Sequence, residues 1–195
     1  MPKKLSLIIA LIGLCLFGQG AYIGVKATAA QVLMERAWAE IESGEAAVAT
    51  PWPWLDANVV GKLSVPHLNQ SAIVLDTDSG QALAFGPTLI AGAARPNQRG
   101  TIGIAAHKNT HFTFLKDLKN GDTLSFEHAH GVQNYIVRHA EIIDSRHAGL
   151  SINDETDTLA LVTCYPFDSL SFNGPLRYIV YAEAVDTPNA AITRI

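Results

Sequence analysis

Few cysteines, few charges and no cluster of one sign mark this chain of 195 residues. It has only two cysteines, Cys15 and Cys164, so no disulfide framework holds it together. Charged residues make up 16% and the formal net charge is -4, with no Lys/Arg cluster after the N-terminus. That excludes nucleic-acid binding driven by phosphate contacts. There is no internal repeat and no low-complexity tract, and glycine and proline are scattered rather than periodic. Solenoid and collagen-like architectures are thereby excluded. No G-x-S-x-G stretch occurs, which removes the serine-hydrolase elbow. A chain of this length and 48% hydrophobic content has material for one sizeable core, not two.

What is present begins at the N-terminus. Lys3 and Lys4 precede LSLIIALIGLCLFGQGAYIGV, residues 5–25, which carries no charge. At ~1.5 Å per helical residue it spans a hydrocarbon layer of ~30 Å. The two lysines favour an N-in orientation. A cleavable signal peptide is the competing reading, with Ala27-Thr28-Ala29 as an A-x-A-like site. Either way the remainder is exported. Cys15 lies inside the apolar run, so the exported part carries one unpaired thiol, Cys164, in a compartment that oxidises thiols. Such a thiol is either buried or used.

Residues 26–47 read as an amphipathic stalk helix with Val32, Leu33, Ala37, Trp38 and Ile41 on its apolar face. The PWPW stretch, residues 51–54, cannot lie inside a helix; its tryptophans suit packing on a domain edge, or an interface or substrate contact. From residue 59 onward, short apolar segments alternate with turn residues. Strands are expected at 59–65, 72–75, 101–106, 123–128, 133–143, 158–163 and 176–185, with a helical turn within 111–118. The breaks contain Pro66, Asp78-Ser79-Gly80, Pro96-Asn97, Asn120-Gly121-Asp122 and Asn173-Gly174-Pro175. The expected organisation is an anchor at 1–25, a helical stalk and Trp/Pro linker at 26–58, an all-β domain at 59–187 and a tail at 188–195. Seven or eight strands in such a domain fit a closed barrel or a sandwich.

Cys164 closes one strand-like run, TLALVTC, and His107 closes another, TIGIAAH. A thiol nucleophile needs a proton acceptor and a donor for the charge that develops on the attacked carbonyl. His107 is the candidate acid/base. Arg177 is the candidate donor, and alternation sets it on the face of Ile179 and Tyr181, opposite Leu176, Tyr178 and Val180. Each has a plain structural alternative: Cys164 as a small buried hydrophobe, His107 as a surface histidine, Arg177 as partner of Asp168 or Glu183.

These residues sit in stretches that resemble the sortases, membrane-anchored cysteine transpeptidases. LVTC, at 161–164, resembles the family's TLxTC strand end. AAHKNTHFTFLKDLKNGD, at 105–122, resembles the segment that holds its catalytic histidine. PLRYIV, at 175–180, resembles the strand of its catalytic arginine. The compact length, PWPW, HKNTHF and CYPFD resemble most the sortases of Gram-negative bacteria, class GN. Ala160 departs from the pattern, where threonine is usual, and a small packing change is expected there.

The resemblance implies a closed β-barrel of about eight strands with short helices. It implies Cys164 as nucleophile, His107 as general acid/base and Arg177 as oxyanion or substrate stabiliser, with Thr163 contributing to the same pocket. The implied substrate is a protein, in class GN a dedicated one, with a C-terminal LPxTG-like sorting signal. The signal passes through a thioester to an acceptor amine, without metal, nucleotide or other cofactor. The implied location is the inner (cytoplasmic) membrane, with a periplasmic catalytic domain. Lys108, Asn109 and His111 follow the catalytic strand and are placed to shape the pocket. The rival readings are a sequence-specific cysteine endopeptidase on the same site and a membrane-tethered β-barrel binding protein with a buried thiol. A metal site built from His67, His107, His111, His128, His130, His139 and His147 is a further rival, and it lacks the usual ligand spacing.

Overall fold

Alternation of apolar and polar side chains folds the segment after residue 58 into a barrel. The computed structural model describes residues 3–77, 79–152, 155–169 and 174–185. Helix α1 (Lys3–Glu42) leads through the Trp/Pro linker into β1 (Val59–Val65). There follow β2 (Gln70–Leu75), α2 (Gly80–Leu83), β3 (Thr88–Leu89), β4 (Thr101–Ala105), β5 (Thr123–His128), β6 (Gly131–Asp144), β7 (Thr158–Cys164) and β8 (Leu176–Val185). Short 3-10 turns lie at Pro66–Leu68 and Thr113–Asp117. The strands close in the order β1-β2-β3-β4-β7-β8-β6-β5. Closure leaves no open sheet edge, and it realises the eight-stranded barrel expected from the sequence.

The barrel interior is filled by Phe112, Phe126, Leu63, Ile104, Leu115, Leu124, Leu159 and Leu161, all fully buried. Side chains of this kind contribute about 1.5–3 kcal/mol each on leaving water. A second apolar layer lies outside the barrel. There Ala30, Met34, Ala37, Trp38 and Ile41 of α1 pack with Trp52, Leu55 and Ala57 against Val59, Ile73 and Leu75.

β3 is a strand the sequence pattern did not show, and three further details of the helices differ from the expectation. The stalk is not a separate helix but the distal part of one continuous helix from Lys3 to Glu42. Its buried stripe is 30, 34, 37, 38 and 41, spaced i, i+4, i+7, i+8, i+11, while Val32 and Leu33 face outward. The Asp78-Ser79-Gly80 break opens a short helix: the Ser79 Oγ accepts the Ala82 N–H at 3.1 Å and caps α2. Asp78, Asn173 and the tail 188–195 lie outside the described residues.

The N-terminal part of α1 is apolar, exposed and of membrane-spanning length.

Candidate active site

Strand pairing decides where the three candidate residues stand. β4 and β7 are parallel neighbours, with Ala105 opposite Val162. The ladder goes on past the end of β4, where the Ala106 N–H donates to the Val162 carbonyl at 3.1 Å. Two residues beyond Ala105 and Val162, this register brings His107 level with Cys164. β7 and β8 are antiparallel, with Cys164 directly opposite Arg177. Alternate residues Ile102, Ile104, Ala106, Leu159, Leu161, Val180 and Ala182 point into the barrel core. His107, Cys164 and Arg177 therefore share the outer face, as one row across three adjacent strands at one end of the barrel. His107 is exposed, and Cys164 and Arg177 are half-buried.

Two further rows continue this face, Ala105–Val162–Ile179 and Gly103–Ala160–Tyr181. They form a floor of small and apolar side chains leading away from the thiol. Gly103 is closely covered: a Cβ there would sit 2.8 Å from Leu150 Cδ2 and 3.1 Å from Ile90 Cδ1, and those side-chain ends would have to shift. Ala160 is fully buried in a cluster with Ile179, Tyr181, Ile143, Leu150 and Val162. A threonine here would have to share that space.

The segments carrying His107 and Cys164 are clasped together on both sides. Ahead of them, the buried Thr163 hydroxyl donates to the Ala106 carbonyl at 2.7 Å. Thr163, expected as a pocket contributor, thus lies on the face opposite Cys164. Behind them, the Lys108 Nζ donates to the carbonyls of Pro166 at 2.6 Å and Ser169 at 2.7 Å. Lys108 is only 4% exposed. A buried ammonium persists only where hydrogen bonds replace its water. Tyr165, Phe167 and Tyr178 brace the same loop, with Tyr165–Phe167 ring centroids 6.1 Å apart and Phe167–Tyr178 centroids 5.3 Å apart. This gives the CYPFD stretch a structural purpose.

Arg177 Nη1 donates to the carbonyls of Gly174 at 2.7 Å and Leu176 at 2.9 Å. Its expected carboxylate partners do not hold it: Glu183 pairs with Arg138 at 2.8 Å, and Asp168 is exposed. His111 is half-buried beside His107, and its ring donates to the backbone of Phe85. Burial lowers its pKa first, the neighbouring His107 lowers it further, and the Phe85 bond opposes both.

The remaining histidines do not join this site. His128 ends β5 and His130 lies in the following turn, with ring centroids 5.9 Å apart. They border a polar cleft of about 310 Å³ with Arg99 and Asp157. That cleft sits by the residues preceding β4 and β7, at the opposite end of the barrel from Cys164. Among the described residues, no three His, Cys, Asp or Glu side chains group as metal ligands. Ile90 and Leu150, which wall the floor, were missed by sequence reasoning because both lie in irregular segments. Lys108 was noticed for its position only. A lysine directly after a strand-end histidine was the available signal, but its partners lie 58 and 61 residues away.

A thiol, an imidazole and a guanidinium in one row can form and resolve an acyl thioester. The comparisons with known proteins agree with that chemistry. The family model of the Sortase domain matches residues 63–185. Sortase D of Bacillus subtilis (strain 168) is 28% identical over 126 residues, 64% of this chain and 63% of that protein. The chain thus matches under two thirds of that relative's length. Among solved structures, a Clostridium perfringens sortase D5 transpeptidase superposes with a TM-score of 0.65 at 17% identity, covering 82% of this chain and 99% of that one. Streptococcus agalactiae sortase C1 gives a TM-score of 0.59 at 20% identity, covering 70% of this chain and 72% of that one. At these identities the two structures speak for the fold alone. All three are sortases of Gram-positive bacteria, and they lend no support to the class GN assignment.

Proposed function

The chain belongs to the sortase family of cysteine transpeptidases, and from that premise we propose that it is itself a membrane-anchored transpeptidase acting through Cys164, His107 and Arg177. The observation that carries the proposal is the single outer-face row that the β4–β7 and β7–β8 registers make of these residues. Cys164 Sγ attacks a backbone carbonyl in a C-terminal, LPxTG-like signal of a protein substrate. The Arg177 guanidinium donates to the oxyanion that forms. The tetrahedral intermediate collapses to a thioester as His107 gives a proton to the departing amine. An incoming amine then attacks the thioester, His107 takes its proton, and an amide forms as the thiolate leaves. Each bond broken is matched by one of similar kind, so the cycle needs no nucleotide. The unpaired thiol of the sequence is explained by this use: it is consumed and regenerated each turn.

The half-buried Ala105 and Val162, next to His107 and Cys164 on this face, suit an apolar residue of such a signal, while Ala160 and Ile179 beyond them are covered by Leu150 and Ile143. The apolar half of α1 serves as a single-pass anchor with the N-terminus inside, keeping the barrel on the extracytoplasmic side of the cytoplasmic membrane. The half-buried, edge-placed thiol speaks against a binding protein whose cysteine is mere core.

The test is product analysis. The full chain is incubated with a library of LPxTG-type peptides, with and without added amines, and products are identified by mass. An amide joining the signal's N-terminal fragment to the amine is expected. Hydrolysis alone, undiminished by amines, would make the chain an endopeptidase. A failure to cleave any peptide, with Cys164 unreactive until denaturation, would refute both.

A further inference from the structure

We propose that Trp54 and the apolar surface around it rest in the headgroup layer of the bilayer that α1 crosses, so that the barrel is held against the membrane instead of swinging on a stalk. This inference rests on reading α1 as a membrane anchor.

The PWPW stretch divides its two tryptophans between two tasks. Trp52 is 8% exposed, packs into the layer between α1 and the barrel, and meets Phe85 edge-on at 5.0 Å between centroids. Trp54 is 78% exposed, the most exposed large hydrophobic side chain among the described residues. A tryptophan left so open next to one so well packed has an apolar ring that nothing among the described residues covers.

What surrounds Trp54 identifies its partner. With Lys26, Ala29, Leu33 and Phe85 it lines a cleft of about 190 Å³. On another flank of the helix, Tyr22, Lys26, Ala27, Ala84 and Phe85 line a second, of about 330 Å³. Both clefts flank α1 over residues 22–33, where the membrane-spanning run ends.

Helix geometry sets their height. Residues 5–25 cover the hydrocarbon core of ~30 Å at ~1.5 Å per residue. Lys26 then stands at the edge of that core, Ala29 roughly 5 Å farther out within the headgroup layer, and Leu33 roughly 10 Å out, just past its outer boundary. α1 is unbroken there and is locked to the linker and to β1 and β2 through Ala30, Met34, Ala37, Trp38 and Ile41. The height of the helix is therefore the height of the barrel's underside. Tryptophan and tyrosine, with an apolar body and a polar tip, are the side chains favoured at this depth, and Lys26 can extend its ammonium to the phosphates. A protein partner would have to displace lipid headgroups from around the anchor to reach the same surface.

The catalytic edge shares this side of the barrel. Gln31 of α1 donates to the Phe85 carbonyl at 2.9 Å, and the ring of His111 bonds the same residue's backbone. Three residues past Phe85 the chain enters β3, where Thr88 pairs with Ala105, two residues before His107. Seating the underside in the headgroups thus holds the His107 loop close above the lipid.

Bromolipid quenching of the full chain tests the proposal. Wild type and Trp54→Ala are reconstituted into phosphatidylethanolamine/phosphatidylglycerol vesicles, with or without bromine on the acyl chain near the headgroup, and flotation after an alkaline carbonate wash reports anchoring. Trp38 is buried and Trp52, 8% exposed, only borders the same cleft, so bromine is expected to remove about a third of wild-type emission and much less from Trp54→Ala. Wild type that floats but emits equally with and without bromine overturns the proposal and leaves the anchor intact. Quenching that persists undiminished in Trp54→Ala overturns it too. A chain that does not float refutes the anchor reading, and the proposal falls with it.

Discussion

Replacing Lys108 by methionine separates holding the fold from holding the site. The substitution keeps the length of the side chain and removes the ammonium that bonds Pro166 at 2.6 Å and Ser169 at 2.7 Å. Hydrogen bonds from a charged donor are worth about 1.5–3 kcal/mol each. Against that gain stands the cost of burying an ammonium, several kcal/mol even after relaxation. The two nearly cancel in the global balance, so Lys108→Met is expected to change overall stability by only about 0–2 kcal/mol. The local balance is different, because the loop after Cys164 loses two charged tethers to the Pro166 and Ser169 carbonyls. A drop of about 2 kcal/mol in its opening free energy raises amide exchange at 165–169 roughly 30-fold, with the barrel strands unchanged. A displacement of about 1 Å at a reacting centre costs up to roughly 100-fold in rate. Acylation of Cys164 by an LPxTG-type peptide should therefore slow by about 10- to 100-fold, through the rate constant rather than peptide affinity. Lys108→Arg, which keeps the charge, should recover a large part of it. Hydrogen exchange read by mass spectrometry and single-turnover acylation give both numbers. Wild-type exchange and acylation in Lys108→Met would refute the clasp.

Arg177→Lys keeps the charge and loses the planar fork, so acylation should fall about 100-fold or more while the thermal midpoint stays near wild type. His111 has its proton disfavoured in the fold by burial and by His107; as pH falls through about 6.5 the unfolded chain takes a proton first and stability drops. His111→Gln should flatten the decline of the melting temperature between about pH 7.5 and 5.5, and an unchanged slope would contradict the assignment. Gly61→Ala would place a Cβ 2.5 Å from the Glu127 carbonyl oxygen and 2.6 Å from the Phe126 ring. Since backbone must move, a loss of about 1–3 kcal/mol is expected in thermal or denaturant unfolding.

Local signals were legible in the sequence and long-range ones were not. The strands at 59–65, 123–128 and 176–185 follow directly from alternation bounded by Pro66, Gly121 and Gly174-Pro175. The same period put Arg177 on the face of Ile179 and Tyr181, where it stands. β3 has two residues, too few to alternate, and joins the barrel only because Thr88 and Leu89 find β4 beside them. That His107 and Cys164 fall in one row depends on β4 and β7 lying parallel and adjacent across more than fifty residues. No local pattern encodes that pairing; the family resemblance supplied it. The stalk was misread by one face because Val32 and Leu33 are apolar enough to look buried. They directly follow an apolar run of membrane-spanning length, and in the proposed anchoring they face the headgroup side instead of the core. The Lys108 clasp was invisible for the same reason as the row: its acceptors are carbonyls, which carry no side-chain signature.

The most direct measurement of the central claim is the intact mass of the protein during turnover. Wild type and Cys164→Ala, both with Cys15 replaced by alanine, are exposed to the host membrane fraction and analysed at once. An adduct on wild type alone, released by hydroxylamine and mapped to Cys164, is the predicted result. An accessible Cys164 that never acquires an acyl group from any peptide or membrane protein, or an adduct that survives in Cys164→Ala, would contradict it.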